Sequence, residues 1–213
     1  MAITIGTPLS DEIADTSPGN FAYTNTGITF IGMVHGRNSA GGTPICSTAT
    51  YNAVAMTRRS YAPRTWTSAA IFELENPALG SNTYDPNGST AGYWCYGCVG
   101  LLGSRAIGVN KDEDSATGSG VTATLAGAIE TAPNGIIIAI CGRGHDKAIS
   151  VPDGWTQLWV ESETGGGGAR VVYKYTDGTA LNPVFIIGDT AEWAVACASY
   201  YPALAGNQVI WMM

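Results

Sequence analysis

The residues best placed to do redox chemistry are two cysteines three positions apart, in the Trp-Cys-Tyr-Gly-Cys run of residues 94–98. A redox-active pair needs its first cysteine at a helix N-terminus, where the pKa of the thiol is lowered and the thiolate is exposed. The glycine-interrupted residues 99–103 predict a strand instead. Neighbouring side chains on a strand point to opposite faces. We therefore expect Cys95 and Cys98 to lie on opposite faces, where they could pair only across a bulge.

Histidine is scarce, since the chain has only His35 and His145. Neither lies at ligand spacing from a cysteine or from the other histidine, and a zinc site needs four ligands. Neither has a motif around it that would suit nucleophilic catalysis. Glycoside hydrolysis needs two carboxylates that face each other across a cleft. Carboxylates are available, but their spacing in the sequence does not indicate such a pair: Glu73, Glu75, Glu161, Glu163 and Glu192. The sequence therefore favours a binding role over an enzymatic one, with no catalytic residues, no metal site and no cofactor.

The densest mixed-charge cluster is the segment of residues 143–147. It overlaps the Gly-Arg-Gly run of residues 142–144, which is similar to the start of a dinucleotide-binding fingerprint, but Lys147 stands at the third glycine position and no helix can follow. Two interpretations remain open, a solvated loop and a polar contact to a partner subunit. In the second, the interface residues are Arg143, His145 and Asp146.

Four aromatic residues could form a platform on which a sugar ring stacks. They are Tyr93, Trp94, Trp155 and Trp159. Alternate aromatics on a strand more often pack in the core on one face. Carbohydrate binding and core packing both stay open for this group.

The chain closes on an apolar segment. This is unusual, because terminal residues are normally polar and frayed. Its large apolar side chains belong to Val209, Ile210, Trp211, Met212 and Met213. They must be covered either by the domain's own core or by an adjacent subunit. The second alternative makes them interface residues and fits the polar residues 10–20, which could serve as a docking arm.

Composition limits the partners. Hydrophobic residues make up 45% of the 213 residues, charged residues 13%, and the formal net charge is −7. The ten Lys and Arg residues form no stripe, which disfavours direct nucleic-acid binding and a membrane-surface role. The first ten residues lack the pattern of a secretory signal, so we expect synthesis and folding in the cytoplasm. An odd count of five cysteines argues against a disulfide framework.

The hydrophobic pattern has a period of two almost everywhere, which predicts strands. Residues 28, 30, 32 and 34 should share one strand face, and residues 29, 31, 33 and 35 the other. Three Pro-Asn-Gly or Pro-Asp-Gly runs, at residues 86–88, 133–135 and 152–154, predict turns, and the polar residues 110–120 predict a loop. We expect an all-β protein, an antiparallel β-sandwich of jelly-roll type with two sheets and about ten strands. Residues 1–20 would form a strand and an arm, residues 21–206 one domain, and residues 207–213 the tail.

Residues 49–202 resemble small β-sandwich structural proteins of bacteriophages and prophages. The similarity lies in four segments: residues 49–56, which match a strand-to-hairpin pattern, residues 68–74, which match a core strand, the Pro-Asp-Gly-Trp turn at residues 152–155, and the closing strand at residues 192–198. Cys95, Cys98 and the apolar tail depart from the pattern.

The resemblance implies a jelly-roll domain of a virion. It favours a capsid decoration or cement protein that forms a homo-oligomer, by analogy a trimer, and that contacts the major capsid protein or other virion proteins. The alternative is a tail or fibre adsorption module that binds host-surface carbohydrate. The resemblance carries over no catalytic residue.

Overall fold

In the computed structural model, the described residues are 2–15, 18–38, 41–89, 92–104, 112–145, 148–162 and 167–203. Within these ranges the chain contains strands and no helix, and every strand pair is antiparallel. The strands are β1 Thr4–Ile5, β2 Leu9–Asp15, β3 Phe21–Asn25, β4 Thr29–Arg37, β5 Ile45–Tyr51, β6 Val54–Ala55, β7 Thr57–Pro63, β8 Thr67–Glu75, β9 Gly80–Ser89, β10 Gly92–Leu102, β11 Glu113–Thr124, β12 Pro133–Arg143, β13 Thr156–Ser162, β14 Gly168–Asp177 and β15 Val184–Tyr200.

The strands form three sheets. The central sheet has the order β1-β10-β4-β8-β7, and β2 also pairs with β10. A five-stranded sheet has the order β11-β15-β12-β14-β13, and a four-stranded sheet has the order β3-β9-β5-β6. The all-β, antiparallel prediction is confirmed. The expected two sheets and about ten strands are not, because fifteen strands in three sheets occupy the described residues.

The central sheet is buried on both faces. One face packs on the five-stranded sheet through a core that includes Ile31, Met33 and Ile138. The other packs on the four-stranded sheet through Phe30, Tyr84 and their neighbours. A third core covers the outer face of the five-stranded sheet with side chains from the connecting segments, among them Leu125, Ile129 and Ile149. Burial of apolar side chains on both faces explains why β4, β8 and β10 read as nearly continuous apolar runs.

The two-residue alternation predicted for β4 is confirmed. Phe30 and Val34 lie in the core with the four-stranded sheet, and Ile31 and Met33 lie in the core with the five-stranded sheet.

Two of the three predicted turns are present. Trp155 N–H donates to the carbonyl of Pro152 at 3.1 Å, and Gly154 supplies the positive φ of 72°. At the start of β12, Asn134 has a φ of 61°, Gly135 N–H donates to the carbonyl of Ala132 at 3.0 Å, and the pairing with β14 shifts by a bulge. The prediction for residues 86–88 is wrong, because these residues lie inside β9 and pair with β5. Strand β3 pairs with β9 only up to Tyr84, so the missing N–H of Pro86 falls where the neighbouring strand has ended.

Two further expectations are corrected. Most of the loop expected at residues 110–120 is strand, since β11 begins at Glu113 and pairs with β15. Part of the expected docking arm is also strand, since β2 pairs with β10 from Leu9↔Cys98 to Asp15↔Gly92. Both segments lack an apolar run because their side chains are largely exposed or half-buried at residues 9–13 and 113–122, so little apolar surface is needed there.

Candidate functional site

The two cysteines of residues 94–98 point to opposite faces of β10, as predicted. Cys95 packs in the core beside the five-stranded sheet, and Cys98 packs in the core beside the four-stranded sheet. The strand is continuous between them, so the sheet itself separates the two sulfur atoms.

All five cysteines are buried and none forms a disulfide. Burial raises the pKa of the Cys46, Cys98, Cys141 and Cys197 thiols, because the thiolate is disfavoured away from water. A thiol with a raised pKa is a weak nucleophile. These cysteines therefore act as small apolar side chains in the three cores.

The proposed aromatic platform is not assembled. Trp94 is buried between the central and four-stranded sheets, whereas Trp159 is buried between the central and five-stranded sheets. Trp155 is half-buried at the outer core, and Tyr93 is half-buried with the Arg37 guanidinium 5.4 Å from its ring centroid. These residues do not form a common surface, because Trp94 of β10 and Trp159 of β13 pack in different cores, on opposite faces of the central sheet.

Arg143, expected in an exposed interface loop, is instead the last residue of β12 and only 3% exposed. Its Nη1 group donates a hydrogen bond to the carbonyl of His145. His145 is exposed, so it remains available for a contact. Asp146 and the apolar tail from Val209 to Met213 lie outside the described residues, and their interface role stays a prediction.

His35 is the buried ionisable residue that sequence reasoning passed over as a generic core or interface histidine. It is 1% exposed, and its Nδ1–H donates to the carbonyl of Ser68 at 2.8 Å. A Cβ at Gly142 would overlap its ring, so glycine makes room for the imidazole. Burial, together with the charges of Arg143 and Arg37, lowers the pKa of His35 to about 4. The sequence offered one signal for this contact: Gly142 interrupts the apolar run of β12, and a glycine inside a strand often marks a close approach of another group.

A surface cavity opens beside these arginines. We call it the Trp66 cavity; it has a volume of about 310 Å³ and is lined by Arg37, Trp66, Gly144, His145 and Glu192. Reciprocal backbone hydrogen bonds between Arg64 and Thr67 close a two-residue hairpin between β7 and β8. This hairpin holds Trp66 at its tip, where the side chain is 39% exposed.

Charged groups flank the Trp66 cavity closely. Arg64 Nη2 lies 3.2 Å from Glu192 Oε1, and Glu192 Oε2 has no hydrogen-bond partner among the described residues. The backbone ties the walls together, since Gly144 N–H donates to the carbonyl of Glu192 at 3.0 Å. The site therefore combines an aromatic face, guanidinium donors and a carboxylate acceptor. Sequence reasoning named Glu192 only as one of several carboxylates and did not group it with Arg37 and Trp66, because β4, the β7–β8 hairpin and β15 meet only in the folded chain.

A second cavity lies between residues 150–155 and the first residues of β15. This Trp155 cavity has a volume of about 370 Å³, and its lining includes Val151, Asp153, Trp155, Val184 and Ile186. Phe185 and Ile187 point into the outer core. Val184 and Ile186 therefore point away from it, and they are 45% and 50% exposed.

Comparisons of the chain with protein-family models, with curated proteins and with solved structures find no match. In the ranges that the structure covers, no group of three or more His, Cys, Asp or Glu side chains could hold a metal ion. Nor do those ranges contain a helix long and apolar enough to cross a membrane.

Proposed function

We propose that the protein is a structural component of a bacteriophage particle, a capsid decoration or cement protein that stabilises the shell through homo-oligomer and capsid contacts. The observation that carries this proposal is the pair of exposed apolar side chains, Val184 and Ile186, on the rim of the Trp155 cavity. Adjacent large apolar side chains at a surface cavity mark a protein contact site. The resemblance to phage β-sandwich proteins supports the virion assignment.

The finer parts of the assignment rest on the same resemblance. They are the jelly-roll type of the sandwich, the trimeric state, the virion location and the contact with the major capsid protein. Among the described residues, no further strand pairs with the outer edges of β11 and β13 in the five-stranded sheet, which supplies a physical reason for self-association, because unpaired strand edges are protected when subunits cover them.

The assembly contact is tested by charging its apolar rim. We expect Val184→Asp/Ile186→Asp to turn the wild-type oligomer into a folded monomer, because a carboxylate cannot be buried in an apolar contact without loss of hydration. Light scattering gives the mass, and co-sedimentation with capsids that lack a decoration layer gives shell binding. Val54→Asp is the matched control, since Val54 is 51% exposed on the four-stranded sheet and should change neither measurement.

A chain that lacks residues 209–213 belongs in the same experiment. If that deletion alone abolishes the oligomer, the tail rather than the Val184 and Ile186 rim makes the subunit contact. A wild-type protein that is monomeric and does not bind capsids would contradict the assignment as a decoration protein.

A further inference from the structure

The Trp66 cavity holds three kinds of group that bind a sugar when they occur together. An exposed indole offers an apolar face to the C–H side of a pyranose ring. Arginine donates paired hydrogen bonds, and a carboxylate accepts from hydroxyl groups. Trp66, Arg37 and Glu192 supply these groups around one opening. Its volume, about 310 Å³, lies at the lower end of the range for small-molecule sites, which suits a single sugar unit.

Arginine side chains surround this cavity. Arg37 lines it, Arg64 is bonded to Glu192, and Arg143 donates to the backbone of His145, which also lines it. Arginines therefore gather at this opening in a chain whose formal net charge is −7. The pKa of the nearby His35 responds to this field, since Arg143 and Arg37 both lower it. A local concentration of cationic groups on an acidic protein attracts an anionic ligand.

The cavity walls are fixed before any ligand arrives. The guanidinium of Arg37 lies over the Tyr93 ring, and the two-residue hairpin fixes the backbone that carries Trp66. A Cβ at Gly167 would come within 3.2 Å of Arg37 Cδ, so glycine backbone packs against the arginine stem. Such preorganisation reduces the entropy lost on binding.

We infer that the Trp66 cavity binds a carboxylated sugar, such as a uronic acid unit of an acidic polysaccharide. Trp66 stacks on the ring, Arg37 pairs with the carboxylate, and Glu192 accepts a hydrogen bond from a ring hydroxyl. The Trp66 cavity shares no lining residue with the Trp155 cavity, whose rim carries Val184 and Ile186. The sugar site and the proposed shell contact can therefore be tested independently.

Saturation-transfer NMR on the full chain with methyl glucuronide and methyl glucoside tests the inference, because the two probes differ only in the carboxylate. We expect glucuronide to bind about tenfold more tightly, as one charge-assisted arginine contact predicts, and to lose affinity as salt is raised. Trp66→Ala and Arg37→Gln should each weaken glucuronide binding by about tenfold or more.

Each variant has a matched control. Arg58 also lies over a tyrosine ring, 4.3 Å from the Tyr61 centroid, and Trp155 lines the other cavity. Arg58→Gln and Trp155→Ala should leave glucuronide binding unchanged. Equal binding of the two probes, no binding of either, or binding that survives Trp66→Ala would overturn the inference. A change of oligomeric state in Arg37→Gln, without any glucuronide binding to the wild type, would identify the cavity as a subunit contact and also overturn it.

Discussion

At the residue scale, the most informative group is His35, a histidine held neutral in the core. Its Nε2 atom has no hydrogen-bond partner among the described residues, and the charges of Arg37 and Arg143 act on it. Protonation in the folded state would place a third positive charge in a region with little water to hydrate it. The imidazole therefore stays uncharged at neutral pH, and its protonation should oppose folding.

The stability of the protein should fall as the pH is lowered toward the folded-state pKa of His35, about 4. Below the ordinary histidine pKa of about 6.5, His35 takes up a proton in the unfolded chain but not in the folded chain. The free energy of unfolding therefore decreases as the pH falls. Between about pH 7.5 and about pH 4.5 this contribution amounts to about 2–3 kcal/mol. Urea unfolding at the two pH values measures the loss, and His35→Gln should remove that share of it.

His145 provides the control, because it is exposed. His145→Gln should keep the full pH dependence of the wild type. If His35→Gln and the wild type lose the same stability on acidification, the carboxylates rather than His35 govern the acid response.

At the element scale, the packing of β12 on β4 depends on one glycine. Gly142 faces His35 so closely that a methyl group would overlap the imidazole ring. Gly142→Ala should destabilise the fold by about 1–3 kcal/mol, the usual cost of overpacking a rigid core. In a His35→Ala background the added methyl group finds space, so the same substitution should cost much less. Urea unfolding of the wild type, the two single variants and the double variant gives the coupling energy between positions 35 and 142.

A glycine with free space around it provides the comparison for that cycle. Nothing lies within 4 Å of a Cβ at Gly127, so Gly127→Ala should leave stability nearly unchanged. Equal costs of Gly142→Ala with and without His35 would show that the two strands do not interlock through this pair.

The strands show which features a local pattern can predict. The alternation of β4 and the opposed sulfurs of β10 followed from the period of two alone. The predicted turn at residues 86–88 and the predicted loop at residues 110–120 were wrong because Pro86 and the polar residues after Glu113 are tolerated where a strand has no neighbour on one side. The Trp66 cavity lay beyond prediction, since its residues come from strands that become neighbours only through the sheet topology.

At the scale of the whole molecule, the central sheet couples the layers on its two sides. Strand β10, for example, contributes Cys95 to one core and Cys98 to the other. Removing either outer sheet would expose one apolar face of the central sheet to water, at about 25 cal/mol per Å². The three layers should therefore unfold as one cooperative unit.

The cysteines report on this cooperativity because they are distributed over the three cores. Cys95 lies in the core between the central and five-stranded sheets, Cys46 and Cys98 in the core with the four-stranded sheet, and Cys141 and Cys197 in the outer core. We expect no thiol of the native protein to react with a brief pulse of iodoacetamide, since all five are buried. At intermediate urea concentrations, intact-mass analysis should show only unmodified and fully modified chains. A stable species carrying two labels, at Cys46 and Cys98, would show that the four-stranded sheet opens separately and that the central sheet does not bind the layers together.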